Sequence, residues 1–170
     1  MDKGLVHLYW GEGKGKTTAA FGLALRMLGS GGTVTVVQFL KDGQSSELDP
    51  LRCLGAKVYS GQPGTKFFSQ MTPEERQEVC ARHNELLNLA LESPCDLLVL
   101  DEACAACRLD MVAEDLLRRA VLERPEGREV VLTGRDPAPW MQEAADYSTE
   151  MCCRKHPYQQ GITARKGVEY

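Results

Sequence analysis

Residues 11–18 read Gly-Glu-Gly-Lys-Gly-Lys-Thr-Thr, with a short apolar run (5–10) before them and a helix-forming run (19–28) after. Gly11, Gly13 and Gly15 let the backbone aim successive N–H groups at one point, and a helix N-terminus adds partial positive charge there. Lys14 and Lys16 contribute full charges, and the Thr17 hydroxyl, with Thr18 beside it, is placed to ligate magnesium. Strand, glycine loop and helix together predict a loop that cradles the phosphates of a nucleotide triphosphate, with Glu12 inside the cradle. The spacing departs from G-x-x-x-x-G-K-[ST]. Counting back from Gly15 puts Trp10 where the first glycine belongs, so the loop is one residue tighter. The nucleotide's pose in it need not be that of an ordinary ATPase.

A second constellation is Leu97-Leu-Val-Leu-Asp101-Glu102, an apolar strand ending in two acids. Beside a phosphate loop, one carboxylate binds magnesium, directly or through water, and the other orients a water or supports the metal from behind. A solvated strand end is the plainer alternative. Arg135, after Thr133-Gly134, is placed to hold phosphate in a bidentate way, or else is an exposed loop arginine. Phe67-Phe68 lies on a loop, where adjacent aromatics either pack into the core or contact a large flat ligand. The tail carries Arg154, Lys155, Arg165 and Lys166 against Glu150 and Glu169. It is either a solvated end or a segment folded back onto an anionic ligand.

The elements that must position these groups alternate between strand and helix. Strands are expected at 5–10, 33–40, 56–59, 97–100, 129–132 and about 146–152. The run at 33–40 is almost continuously apolar, as in a parallel strand buried on both faces. Helices are expected at about 16–28, 73–92 and 111–123, with a short one opening at Pro137 or Pro139 and reaching Ala145. Thr72-Pro-Glu-Glu75 is a capping box with proline in the first turn, and Asp110 is expected to cap the helix from Met111. Residues 41–47 read as a polar connection. His83 falls on the apolar stripe of its helix with Val79, Leu86, Leu87 and Ala90, the place of a core histidine. The order predicts an α/β fold: a mostly parallel sheet flanked by helices. In such a sheet 11–17, 38–41, 101–102 and 133–135 all lie at carboxyl ends of strands, where ligands bind.

Composition narrows the class. The 170 residues are 43% apolar and 26% charged, as in a soluble globular chain with one domain over 1–170. A net charge of −4 argues against nucleic acid as a partner. No apolar run approaches the ~20 residues of a membrane span. The first residues lead straight into a strand without a signal peptide, so the expected location is cytoplasmic. Seven cysteines lack disulfide-scaffold spacing. Cys104-Ala-Ala-Cys107 has no second ligand pair, so reduced, partly buried thiols are expected rather than zinc. No Ser-His-Asp or Cys-His nucleophile stands out.

Several stretches together resemble the ATP:corrinoid adenosyltransferases: 11–22, Val37-Gln-Phe-Leu-Lys41, Leu98-Val-Leu-Asp-Glu102, Val131-Leu-Thr-Gly-Arg135, 145–151 and 155–170. The resemblance covers nearly the whole chain in order. It implies a dimeric cytoplasmic enzyme of P-loop NTPase (RecA-like) architecture. Such an enzyme moves the 5′-deoxyadenosyl group of ATP onto the Co(I) of a corrinoid (cobalamin or cobyrinic acid a,c-diamide), releases triphosphate, and needs an electron donor for Co(II) reduction. By this resemblance Gly11, Glu12, Gly13, Lys14, Gly15, Lys16, Thr17 and Thr18 cradle the triphosphate, bound in reverse. Thr17 and Glu102, with Asp101, serve Mg2+. Arg135 contacts phosphate; Lys16, Arg135 and Glu102 are the catalytic set; and Phe67 or Phe68 contacts the corrinoid. The region around Phe67 departs from the family's tryptophan-containing pattern. Only about four residues precede the first strand, so closure over the corrinoid is expected either to come from elsewhere or to be looser. The pattern D-x-H-x-x-G, which ligates cobalt through histidine in some proteins, is absent. Rival readings are a P-loop ATPase or phosphoryl-transfer enzyme, with Glu102 orienting water, and a non-catalytic nucleotide-gated binding protein.

Overall fold

A computed structural model describes residues 4–64 and 66–169. Residues 1–3, Thr65 and Tyr170, and with them both ends of the expected domain and one position of the aromatic loop, lie outside the described residues. Six strands form one sheet: β1 (Val6–Trp10), β2 (Val34–Gln38), β3 (Lys57–Tyr59), β4 (Leu97–Asp101), β5 (Glu129–Gly134) and β6 (Tyr147–Glu150). Their order is β3-β2-β4-β5-β1-β6, and every pairing is parallel. All six carboxyl ends therefore point the same way. β5 separates β1 from β4, so the glycine loop after β1 and the acids ending β4 flank Thr133 and Gly134 at the end of β5.

Parallel strands need covered faces, and both are covered. α1 (Lys16–Gly29) and the short α2 (Leu48–Cys53) pack on one side. There Ala20, Phe21, Ala24, Leu48 and Leu51 meet Val34, Val36, Leu97, Val99 and Val131. On the other side lie α3 (Pro73–Leu91), α4 (Ala103–Arg108), α5 (Glu114–Leu122) and α6 (Pro139–Ala144). Their Val79, Leu87, Cys104, Leu117 and Met141 meet Leu8, Val37, Leu98, Leu100, Val130 and Leu132. β4 shows the two-residue period directly, with Leu97 and Val99 serving one face and Leu98 and Leu100 the other.

Local signals explain most boundaries. The Thr72 hydroxyl accepts from the Glu75 N–H at 3.2 Å, and the Glu75 carboxylate accepts from the Thr72 N–H at 2.8 Å. This is the expected capping box, and Pro73 opens the helix behind it. The expected helix from Met111 is corrected. Asp110 takes a left-handed φ of 54° and closes α4, the Met111 N–H returning to the Ala106 carbonyl at 2.8 Å. The next helix starts only at Glu114. Its preceding residue, Ala113, donates its N–H to the Asn84 Oδ1 at 2.8 Å. Two short helices, α2 and α4, escape the sequence pattern because each is only six residues long.

His83 is a core residue, as its stripe predicts. It is fully buried, with Nδ1 2.8 Å from the Met111 carbonyl and Nε2 accepting the Leu40 N–H at 3.2 Å. Leu40 needs that partner, since it holds a left-handed φ of 56° without being glycine. Burial lowers the His83 pKa below the ordinary histidine value. The unfolded chain therefore takes up the proton first. The folded state loses stability as pH falls below the unfolded value of ~6.5, until the lowered folded pKa is reached. Urea unfolding at pH 7.5 and at pH 5.5 should show this loss in the native chain, and His83→Gln should show a smaller one. The same substitution should cost about 1–3 kcal/mol at pH 7.5, because the Leu40 N–H and Met111 carbonyl lose their partner.

Candidate active site

The glycine loop spans the gap between β1 and α1, and its shape is set by what crosses it. The Gly11 N–H donates to the Gly134 carbonyl at 3.3 Å, and the Gly13 N–H to the Met151 carbonyl just beyond β6. A Cβ on Gly11 would lie 2.7 Å from that Met151 oxygen, and one on Gly13 at 2.5 Å. Side chains are excluded at both positions by this approach, and Gly11 and Gly15 also take φ of 108° and 113°. The glycines thus bind the loop to the ends of β5 and β6 while α1 begins at Lys16.

Asp101 sits at the centre, fully buried. Its Oδ1 accepts from the Thr17 and Thr133 hydroxyls, both at 2.7 Å. Its Oδ2 accepts from the Lys41 Nζ at 3.0 Å and the Gln38 Nε2 at 3.1 Å. One carboxylate thereby fastens the ends of β2, β4 and β5 to the first turn of α1. Glu102 follows with a left-handed φ of 60°, its N–H held by the Thr133 hydroxyl at 3.0 Å. Burial, then the charge of Asp101, raises the Glu102 pKa; Lys41, Lys16 and Arg135 pull the other way.

Over the loop lies a cavity of about 350 Å3, lined by 14–18, Lys41, Ser45, Glu47 and Glu102, and from the tail by His156, Val168 and Glu169. The tail does fold back over the loop. The residues it presents there are not its arginines: Arg165 is paired with Glu169 at 3.0 Å. Lys16 donates to the Gly13 carbonyl at 2.7 Å, and burial, then Arg135, lowers its pKa. Arg135 stays at the rim. Its Nη1 lies 3.0 Å from Glu12, and the two side chains are 59% and 60% exposed.

The aromatic pair stands apart from the glycine loop. Phe67 is 77% exposed, whereas Phe68 is half-buried with the Arg76 guanidinium 4.0 Å from its ring centroid. Both line a second cavity of about 370 Å3 with Leu40, Lys41, Asp42, Ser45, Gln62, Lys66 and Met71. Lys41 and Ser45 line both cavities. Sequence reasoning placed Lys41 at a strand end but gave it no function, and passed over Ser45 as part of a polar connection. Their signal lay in the polar composition of 41–47 directly after a buried strand. The C-x-x-C thiols lie in α4, both buried, and burial drives the Cys104 pKa up to about 12. Among the described residues, no group of three or more His, Cys, Asp and Glu is arranged to hold a metal. No described helix is long and apolar enough to cross a membrane.

An all-parallel sheet, a glycine loop entering a helix, and a helix threonine bonded to an acid two strands away define an α/β protein of the P-loop NTPase-like kind. The chain belongs to the ATP:corrinoid adenosyltransferase BtuR/CobO/CobP family, whose model matches residues 2–170. A corrinoid adenosyltransferase of Pseudomonas aeruginosa is 33% identical over 172 residues, covering 99% of this chain and 85% of the relative. One of Escherichia coli is 30% identical over 173 residues, covering 99% and 87%. A solved deacetylase structure aligns over 88% of each chain at 14% identity with a TM-score of 0.28, too low to relate the two folds.

The rim pair generates a prediction. An exposed ion pair contributes only ~0–1 kcal/mol, so Glu12→Gln should leave the thermal midpoint nearly unchanged. It also removes a negative charge from the loop and frees Arg135. Calorimetric titration with tripolyphosphate should show binding tighter by about threefold or more, and less so in high salt.

Proposed function

We propose that this chain transfers the 5′-deoxyadenosyl group of ATP to the Co(I) of a corrinoid, cobalamin or cobyrinic acid a,c-diamide, and releases triphosphate. The observation that supports this most directly is the pair of adjoining cavities. One is built on the glycine loop, the other is bordered by exposed Phe67 and half-buried Phe68, and they share the wall of Lys41 and Ser45. A two-substrate transfer needs such a junction. Hydrolysis of a nucleotide needs only the first cavity.

In this reading the cobalt of the substrate attacks the ribose 5′ carbon. Its electron pair becomes the new cobalt–carbon bond, and the pair of the broken C5′–O bond leaves with triphosphate. The protein needs no nucleophile of its own. It must hold the two substrates in line and meet the departing charge. Lys14, Lys16 and the N–H groups of the loop take the phosphates, and Arg135 joins them by exchanging Glu12 for phosphate. The Thr17 hydroxyl donates its hydrogen bond to Asp101, so its lone pairs remain for a cation, and the Glu102 carboxylate lines the same cavity. These hard oxygens fit Mg2+. Thr17 and Glu102 would hold it, with Asp101 behind Thr17, and it would supply further neutralisation of triphosphate. Phe67 and Phe68 border the corrinoid. The reading extends to one domain over 1–170 that acts as a homodimer in the cytoplasm, with a separate electron donor for Co(II).

Phosphorus NMR of spent reactions, with and without reduced corrinoid, tests the bond that breaks. Triphosphate and a light-sensitive adenosylated corrinoid should form in equal amounts, without ADP in step. ADP and orthophosphate appearing at one rate in both samples would establish an ATPase instead. The aromatic assignment has its own measurement. Phe67→Ala should slow reaction from Co(II) more than reaction from pre-formed Co(I), since a side chain 77% exposed to solvent contributes little to folding. Equal losses from both states would separate Phe67 from the corrinoid.

A further inference from the structure

Lys41 is the cation placed where the two cavities meet. It lines both, and its Nζ is anchored 3.0 Å from the buried Asp101. The backbone that delivers it is constrained from beneath, because Leu40 holds its left-handed φ through the N–H bond to buried His83. The wall beside it is also built of satisfied polar groups. Gln38 Nε2 donates to Asp101 at 3.1 Å and to the Ser45 hydroxyl at 3.2 Å, and its Oε1 accepts from Ser60 at 2.8 Å. Lys41 is thus a positive charge on a rigid mount, with 31% of its side chain still exposed to the cavities.

The chemistry at that junction follows from connectivity, given the adenosyl-transfer reading above. The phosphates occupy the loop cavity and the attacking metal the aromatic one. The scissile C5′–O bond must lie between them, and the oxygen that takes its electron pair lies on the phosphate side of the seam. We propose that Lys41 is a catalytic residue whose ammonium stabilises the negative charge that develops on the 5′ oxygen of the leaving triphosphate. It differs in task from Lys14 and Lys16, which hold charge that the triphosphate already carries in the ground state. Lys41 meets charge that appears only as the bond breaks, so its effect falls on kcat rather than on ATP binding.

The test compares ATP with the analogue that carries sulfur at the bridging 5′ position. That leaving atom tolerates negative charge better and needs less help from an ammonium. Lys41→Met, assayed with pre-formed Co(I) corrinoid and ATP, should lose about a hundredfold or more in kcat, the size of losing one donor to a developing oxyanion. Its dissociation constant for ATP should stay within about threefold of native, as expected for an interaction made only in the transition state. With the sulfur analogue the loss should shrink to about tenfold or less, and Lys41→Arg should recover part of the rate with ATP. Since Asp101 loses an ion partner in Lys41→Met, Lys41→Gln is run alongside to keep a donor on that carboxylate without the charge. Equal losses with the oxygen and sulfur nucleotides, or an unchanged kcat, would overturn the assignment. Failure of the transfer reading itself is separately visible: native protein would then form no adenosylated corrinoid at all.

Discussion

The carboxylate of Asp101 is the constraint on which the site depends. A buried charge costs several kcal/mol unless it is paired and hydrogen-bonded. Here four donors from three other segments meet it: Thr17 from the first turn of α1, Thr133 from β5, and Gln38 and Lys41 from and just beyond the end of β2. Removing any one leaves the rest of the charge undercompensated, so the segments are fixed relative to one another. The parallel sheet brings the strand ends to one edge; Asp101 sets their positions there. A threonine at the cavity wall, a lysine at the seam and a glutamate lining the same cavity are consequences of that one arrangement.

The loop illustrates a second constraint, imposed by backbone rather than charge. β6 pairs in parallel with β1, and the chain leaving it passes directly over the loop, with the Met151 carbonyl against Gly13. A loop crossed this closely has no room for a Cβ at Gly11 or Gly13. The shortened spacing and the alternating glycines are therefore two sides of one packing problem. The crossing also carries the tail back to the cavity, where His156 and Glu169 join the lining. Glu169 stands there as an anion near Lys14, and its pKa is lowered first by its hydrogen bonds to Arg165. An acid of the chain thus sits near a loop lysine, as Glu12 does beside Arg135.

The sheet and its helices were largely legible in the sequence, because buried parallel strands are short apolar runs and α3 carries an explicit capping box. What was not legible has identifiable causes. Asp110 looked like an N-cap because aspartate suits that position. The same short polar side chain also tolerates the left-handed conformation that ends α4, and only packing chooses between the two uses. The helices α2 and α4 are too short for a period to emerge. At the site, the glycine loop and the acid pair stand out in the sequence because each is a contiguous motif directly after a strand. Lys41 and Ser45 do not, because their meaning is a position between two cavities. Phe67 and Phe68, indistinguishable in sequence, separate in space into a ring turned to solvent and one against Arg76.

The distribution of charge bears on which bond the site is built to break. An enzyme that transfers a phosphoryl group needs its strongest compensation where charge builds at the far end of the phosphate chain, together with a base for the attacking water. Glu102 does not decide between the two chemistries, because burial, then Asp101, raises its pKa, and a carboxylate with a raised pKa suits a base as well as it suits a cation ligand. The described cations divide differently. Lys14 and Lys16 sit in the loop, Arg135 is held back at the rim by Glu12, and Lys41 stands at the wall of the second cavity. On the proposed transfer across that wall, this division would grip the phosphates, leave one charge for the atom facing the acceptor, and release another once the nucleotide displaces an internal carboxylate.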